Sequence, residues 1–156
     1  MDEWTVLAHR EGVMANLDAA RAIQRRTKSL LWRYHHSATT KTPSPLGQPP
    51  AMISGRLAAS VQADQDGDDA VVGPTSWASS KNGAYGRFLE LGGVHAAHND
   101  TGEMWWYQDG FWHHAAELEK GPRPFLKPAT EQAIESGEIY DIYWRHWLMA
   151  QEAVTA

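Results

Sequence analysis

From Val13 onward, apolar or small residues recur at spacings of three and four, at Val13, Leu17, Ala20, Thr27, Leu31 and Tyr34. This is one stripe of an amphipathic helix. Arg21, Arg25, Lys28 and Arg33 fall off the stripe, and the pattern predicts a helix that ends near Ser37. Upstream, Trp4-Thr5-Val6-Leu7-Ala8 is short and β-prone and is set apart by Gly12, so it reads as a small strand. A helix starting near Asp2 is the competing reading. Thr39 to Pro50 carries four prolines among Thr, Ser, Gly and Gln, which excludes regular structure and marks residues 39–52 as a mobile or clamping loop. Ser54 to Ser60 allows no more than a short helical turn. Val61-Gln62-Ala63 and Ala70-Val71-Val72-Gly73 flank an acidic, Gly-containing turn and read as a hairpin. The aspartates of that turn lack the downstream Glu and the ligand spacing of an EF-hand, so they read as solvated.

Trp77 to Leu91 becomes helical in its second part, with Tyr85, Phe88 and Leu89 as the apolar positions, and Gly92-Gly93 stops it. Further on, Met104-Trp105-Trp106-Tyr107 and Phe111-Trp112-His113-His114 flank Gln108-Asp109-Gly110. An Asp-Gly step between aromatic runs predicts a second hairpin. A final helix runs from about Phe125 to Gln151, with Pro128 tolerated in its first turn. Its predicted buried stripe is Ala129, Ala133, Tyr140, Trp144 and Trp147, and Gly137 is the point where it bends or breaks. With no internal repeat, these elements make one domain over residues 1–156. The class is α+β: a small, largely antiparallel sheet packed by a long N-terminal helix and a C-terminal helix, with an extended aromatic hairpin.

Composition narrows the function classes. No cysteine is present, which excludes a disulfide scaffold, a thiol nucleophile and a thiolate zinc site. No run approaches the roughly 20 apolar residues of a membrane helix, and the acidic start Met1-Asp2-Glu3-Trp4 is unlike a secretory signal. The expectation is therefore a soluble intracellular chain without a membrane partner. The net charge of −5 is unevenly placed. Residues 1–78 hold eight basic and eight acidic side chains, whereas residues 79–156 hold six and eleven. The basic cluster around Arg21, Arg25 and Lys28 reads as a solvated face, a nucleic-acid footprint, or a surface complementary to another copy. A nucleic-acid-binding regulator is hard to build beside so acidic a second half.

Candidate chemistry is sparse. Among eight histidines, His95 and His98 are three apart and His113-His114 precede Glu117. Across neighbouring strands a pair of them could offer nitrogens to Zn²⁺, so a small His-rich metal-binding protein or metal-dependent enzyme is the alternative reading. Against it, there is no HExxH, and adjacent strand residues point to opposite faces. Nothing gathers an acid, a base and a water-excluding pocket. The chain is read as a non-enzyme with no catalytic residue, no metal ligand and no cofactor. The eight tryptophans, against three phenylalanines, are more telling. Trp105, Trp106, Tyr107, Phe111 and Trp112 put large apolar area on both faces of one hairpin, and exposed aromatic surface marks protein contacts.

Four segments in order, "SGRLAASV" at Ser54–Val61, "AVVGPTSWA" at Ala70–Ala78, "AYGRFLELGG" at Ala84–Gly93 and "GPRPFLKPA" at Gly121–Ala129, follow a helix and a Pro-rich loop. This set resembles the tail-completion, or head-to-tail connector, family of long-tailed bacteriophages, whose members are also described as minor tail or head–tail joining proteins. The likeness covers roughly residues 40–135 in motif order. The positions that carry it are Gly55, Leu57, Gly73, Tyr85, Phe88, Glu90, Gly92, Arg123, Pro124, Phe125, Leu126 and Pro128. Physically, Gly55 and Leu57 turn the chain out of the loop and bury one side chain, and Gly73-Pro74 ends a strand. Phe125 and Leu126 anchor the last helix. Glu90, an acid near a helix C-terminus, calls for a basic partner, for which Arg123 is the candidate. The chain departs from the family pattern in residues 94–120, an insertion holding the hairpin. Gly86 also stands where a small residue such as Ala is common, a change expected to matter little.

The resemblance implies a structural virion protein of the phage neck, assembled in the host cytoplasm. Copies would form a ring, six by the family's habit, between the head connector or head-closure protein and the tail-terminator or tail-tube proteins. DNA would pass through its channel without specific binding. The predicted docking elements are the hairpin at 103–114 and the Pro-rich loop, with Pro43, Pro45 and Leu46; the basic face of Arg21, Arg25 and Lys28 would meet a neighbouring subunit.

Overall fold

The structure is a computed structural model that describes residues 2–33, 35, 44–52, 54–75, 79–80, 83–97, 101–108 and 110–155. Tyr34 and Pro43 lie outside the described residues, as does Asp109 of the hairpin turn. Helix α1 runs over Glu3–Trp32. The strand expected at Trp4–Ala8 is therefore its first turns. Asp2 decides this, because its carboxylate accepts from the Thr5 backbone N–H at 2.8 Å and the Thr5 hydroxyl at 2.6 Å and so caps the helix. The buried stripe of α1 is mostly alanine, at Ala15, Ala19, Ala20 and Ala22, followed by Thr27 and Leu31. Small side chains there allow close approach of a second helix.

Helix α2 (Arg56–Ser60) follows Gly55, whose φ of 71° puts it in the left-handed region. Strands β1 (Val61–Asp66) and β2 (Asp69–Pro74) then form the expected antiparallel hairpin, with Asp66 opposite Asp69. The turn and strand are tied to α1 through Asn16 Nδ2 to the Asp68 carbonyl at 2.8 Å and Gln24 Nε2 to the Val61 carbonyl at 2.9 Å. Two short strands, β3 (Ser79–Ser80) and β4 (Gly83–Ala84), lead into helix α3 (Tyr85–Leu91). Strand β5 (Gly93–Ala96) pairs antiparallel with β8 (Glu117–Lys120), and between them β6 (Met104–Gln108) pairs with β7 (Phe111–Ala115). Among the described residues the strands are antiparallel, as expected, but form four two-stranded ladders.

Helices α4 (Leu126–Glu135) and α5 (Glu138–Thr155) replace the single C-terminal helix expected from the sequence. Gly137, at φ 78°, separates them. That break changes the helical phase. Ala129 and Ala133 are fully buried as expected, but the buried positions of α5 are Ile142 and Ala150. Tyr140, Trp144 and Trp147, predicted to be buried, are 68%, 46% and 43% exposed.

Among the described residues the buried side chains form two clusters, and α1 serves both. Leu31, Ala58, Val61 and Phe125 form one, joined by Leu57, Val72, Leu89 and Leu126. Ala15, Ala22 and Ile142 form the other, with Ile139 against it. Near the first core, Gly86 is buried, and a Cβ there would stand 2.5 Å from Cγ of Pro74. The glycine is thus needed for α3 to approach the end of β2, contrary to the expectation that its identity matters little. Gly86→Ala should lower the unfolding free energy by about 1–3 kcal/mol through overpacking, read from urea midpoints. Gly12→Ala, in α1 with nothing within 4 Å of the added methyl, should instead raise it by about 0.5–1 kcal/mol.

Candidate assembly site

The motifs that are far apart in the chain meet at one carboxylate. Glu90 closes α3, and its Oε2 accepts from the backbone N–H groups of Phe125 at 2.8 Å and Leu126 at 3.0 Å, while Oε1 accepts from Lys127 at 2.8 Å. These are orphan donors of the first turn of α4, and a negative charge there is also favoured by the helix dipole. Glu90 is therefore the N-terminal cap of a helix 35 residues away, and the expected Arg123 partner is overturned. Backbone donors already occupy both its oxygens. Arg123 is used otherwise: its N–H donates to the Leu89 carbonyl at 2.7 Å and its Nε to the Ser44 carbonyl at 3.0 Å. Gly92 makes the crossing possible, since at φ 70° a Cβ would lie 2.7 Å from the Lys120 carbonyl. Phe125, fully buried, fills the core beneath.

Arg123 also fixes the end of the Pro-rich loop. Gly47 donates to the Pro122 carbonyl at 3.1 Å, and a Cβ on Gly121 would strike Leu46 Cδ2 at 2.6 Å. Pro45 is exposed and Leu46 is 65% exposed. The described part of this loop is thus a strap on the "GPRP" segment that still presents Leu46 outward.

The insertion leaves and rejoins this site at paired residues, Gly93 opposite Lys120. Its return strand, Phe111 to Lys120, pairs first with β6 and then with β5. In the hairpin register Trp105 stands opposite His114 and Tyr107 opposite Trp112, so these four positions share one face. The rings of Trp105 and His114 stack at 4.6 Å, and Glu103 lies 3.4 Å from His114 Nδ1. Trp105, Phe111 and Trp112 are 57%, 72% and 68% exposed. The side chains of Trp106, Tyr107 and Tyr85 lie outside the described residues, as do the His95 side chain and all of His98. Among the described residues no group of three His, Asp or Glu gathers to hold a metal.

Part of the basic stripe of α1 finds acids in its own chain, whereas Lys28, half-buried, makes no ion pair among the described residues. Arg26 Nε lies 2.6 Å and Arg25 3.3 Å from the Glu138 carboxylate at the start of α5, and Arg21 lies 3.1 Å from Asp18. Between α1 and α5, His146 places Nδ1 2.8 Å from Glu11 and Nε2 3.2 Å from Asp18. The hydrogen bond from His146, aided by Arg21 against the opposing effect of burial, holds the Asp18 carboxyl below its ordinary value. Arg26 chiefly, then Arg25, does the same for Glu138.

Sequence reasoning missed the outward face of α5. Tyr140 and Trp144 stack at 6.3 Å and Trp144 and Trp147 at 4.9 Å, a ladder of three rings. The sequence signal for it is Gly137, because a break there restarts the helical phase and turns these rings outward. No protein-family model, curated protein or solved structure matches this chain. Among the described residues no helix is long and apolar enough to cross a membrane.

Two predictions follow from these contacts. Glu90→Ala should cost about 2 kcal/mol of stability, since it strips three N–H groups of a charged acceptor, with Glu90→Gln retaining part of it; chemical denaturation measures both. Asp18 and Glu138 have depressed native values, so their stabilisation is present above the ordinary values of 3.8 and 4.5 and is lost as pH falls through the lowered ones. Urea midpoints should drop between about pH 5 and about pH 3, and Arg26→Met should make that drop shallower.

Proposed function

We propose that the chain is a structural protein of a long-tailed phage neck, one subunit of a ring that joins the head connector to the tail and leaves a channel for DNA. The observation that supports this reading best is the clasp of Glu90 on the backbone of Phe125, Leu126 and Lys127. It joins "ELGG" to "RPFLKPA", parts of two of the four segments whose order carries the family resemblance, across an insertion of residues 94–120. The family-like motifs thus behave as one unit, and the addition is carried outside it.

The remaining features fit assembly rather than turnover. Exposed tryptophans on the β6–β7 hairpin and an exposed Leu46 on the loop give the subunit apolar surface to dock. With Arg25 and Arg26 held by Glu138, the helix offers less charge to phosphates, which suits a conduit in which DNA must slide. Assembly of this kind requires neither turnover nor a cofactor.

Purified protein mixed with its neck partners should form rings with a central opening in negative-stain micrographs, with no salt-dependent DNA binding by the isolated chain. Trp105→Ala with Trp112→Ala should abolish incorporation into virions while leaving the fold intact by circular dichroism. A chain that stays monomeric with its partners present, and virions that assemble normally with the double variant, would overturn the reading.

A further inference from the structure

Among the described residues two aromatic surfaces stand largely exposed. One is the outward face of α5, where Tyr140, Trp144 and Trp147 stack in a ladder with Tyr143 beside it. The other is the hairpin face of Trp105, Trp112 and His114. We propose that these two surfaces are the two halves of one contact between copies: the α5 ladder of one subunit receives the hairpin face of the next. This rests on the ring part of the reading above and names the contact that would close it.

Three observations carry it. The first is area. Tyr140, Tyr143, Trp144 and Trp147 are 43–68% exposed, which at roughly 150–250 Å² per whole aromatic side chain leaves on the order of 400 Å² of ring surface in water. Trp105 and Trp112, 57% and 68% exposed, with His114 add on the order of 300 Å² on the other surface. A stable interface takes about 800 Å² from each partner, a little over half of it apolar. The ladder supplies nearly all of that apolar share and the hairpin face about two thirds.

The second is symmetry. A two-fold contact between like patches, ladder on ladder or hairpin on hairpin, covers one of these surfaces and leaves the other in water. A reciprocal two-fold contact of ladder on hairpin covers both but stops at a dimer and builds no ring. A head-to-tail contact covers both at once, and repetition of such a contact closes a ring when its rotation permits. The third is shape. The ladder from Tyr140 to Trp147 runs about 10 Å along the helix, and the ribbon of β6 and β7 is about 17 Å long, so the flat ribbon face can span the whole ladder. The ladder rings stack on one another and Trp105 stacks on His114, contacts that restrict their rotamers and so limit the ordering cost of association.

The absence of native cysteine makes the test direct. Two proteins, Trp112→Cys and Trp144→Cys, are prepared separately, checked for the parent circular dichroism spectrum, mixed in equal amounts and oxidised. The expected product is a disulfide between position 112 of one copy and position 144 of another, at least about tenfold over either homodimer, identified by mass spectrometry of the linked peptides. Phe111→Cys, on the opposite hairpin face, should not link to Trp144→Cys. Self-linkage of Trp144→Cys equal to the mixed product would replace the proposal with a two-fold helix contact. Rings in micrographs without the mixed product would overturn this contact and leave the neck reading standing. The mixed product in a chain that never enters virions would do the reverse. Absence of any linkage in a monomeric protein overturns the contact.

Discussion

The carboxylate of Glu90 holds the first turn of α4, and most of the molecule hangs from that contact. Three backbone donors converge on its two oxygens. Left unpaired near the buried Phe125, those donors would each carry the desolvation cost of a lost hydrogen bond. With them satisfied, α3 and α4 are locked end to end, Phe125 is delivered to the core with Leu31 and Val61, and Arg123 is placed to hold Ser44. The glycines around it answer the same geometric demand. Gly92 and Gly121 are the positions where a side chain would collide with the crossing segments.

The second organising element is α1, whose two ends do different work. Its C-terminal half packs on the motif-bearing core, and its N-terminal half packs on α5 through alanines and Ile142. Charge follows the same division. The Arg25–Arg26–Glu138 cluster and the Glu11–His146–Asp18 bridge both sit along the α1–α5 contact. The local positive charge of Arg21, Arg25 and Arg26 and part of the negative excess of the second half are therefore paired inside one subunit.

Local patterns were legible where local rules decide. The hairpin of β1 and β2, the aromatic hairpin, the stop at Gly92 and the α+β class all follow from alternation, turn residues and helical spacing. What was not legible depends on distance or phase. Glu90 looks misplaced at a helix C-terminus until the N-terminus of α4 is brought beside it, and nothing in the sequence spacing supplies that approach. Asp2 outweighs the β-branched start of α1 because a cap acts on the whole helix behind it. A helical count carried through Gly137 puts Tyr140, Trp144 and Trp147 in the core, but the backbone turns left-handed there and the count restarts. Ala129 and Ala133, before that residue, were placed correctly by the same count.

The pairing of Gly93 with Lys120 has a consequence for how such a molecule can change. Because the insertion begins and ends on neighbouring strands, its two stems are only about 5 Å apart, and a short turn could close the gap if everything between were removed. Length, sequence and even the presence of the aromatic arm are then decoupled from the clasp beneath it. Lineages, or an engineer, could exchange one arm for another as a cassette, altering which surface a subunit recognises while the core that folds it stays the same.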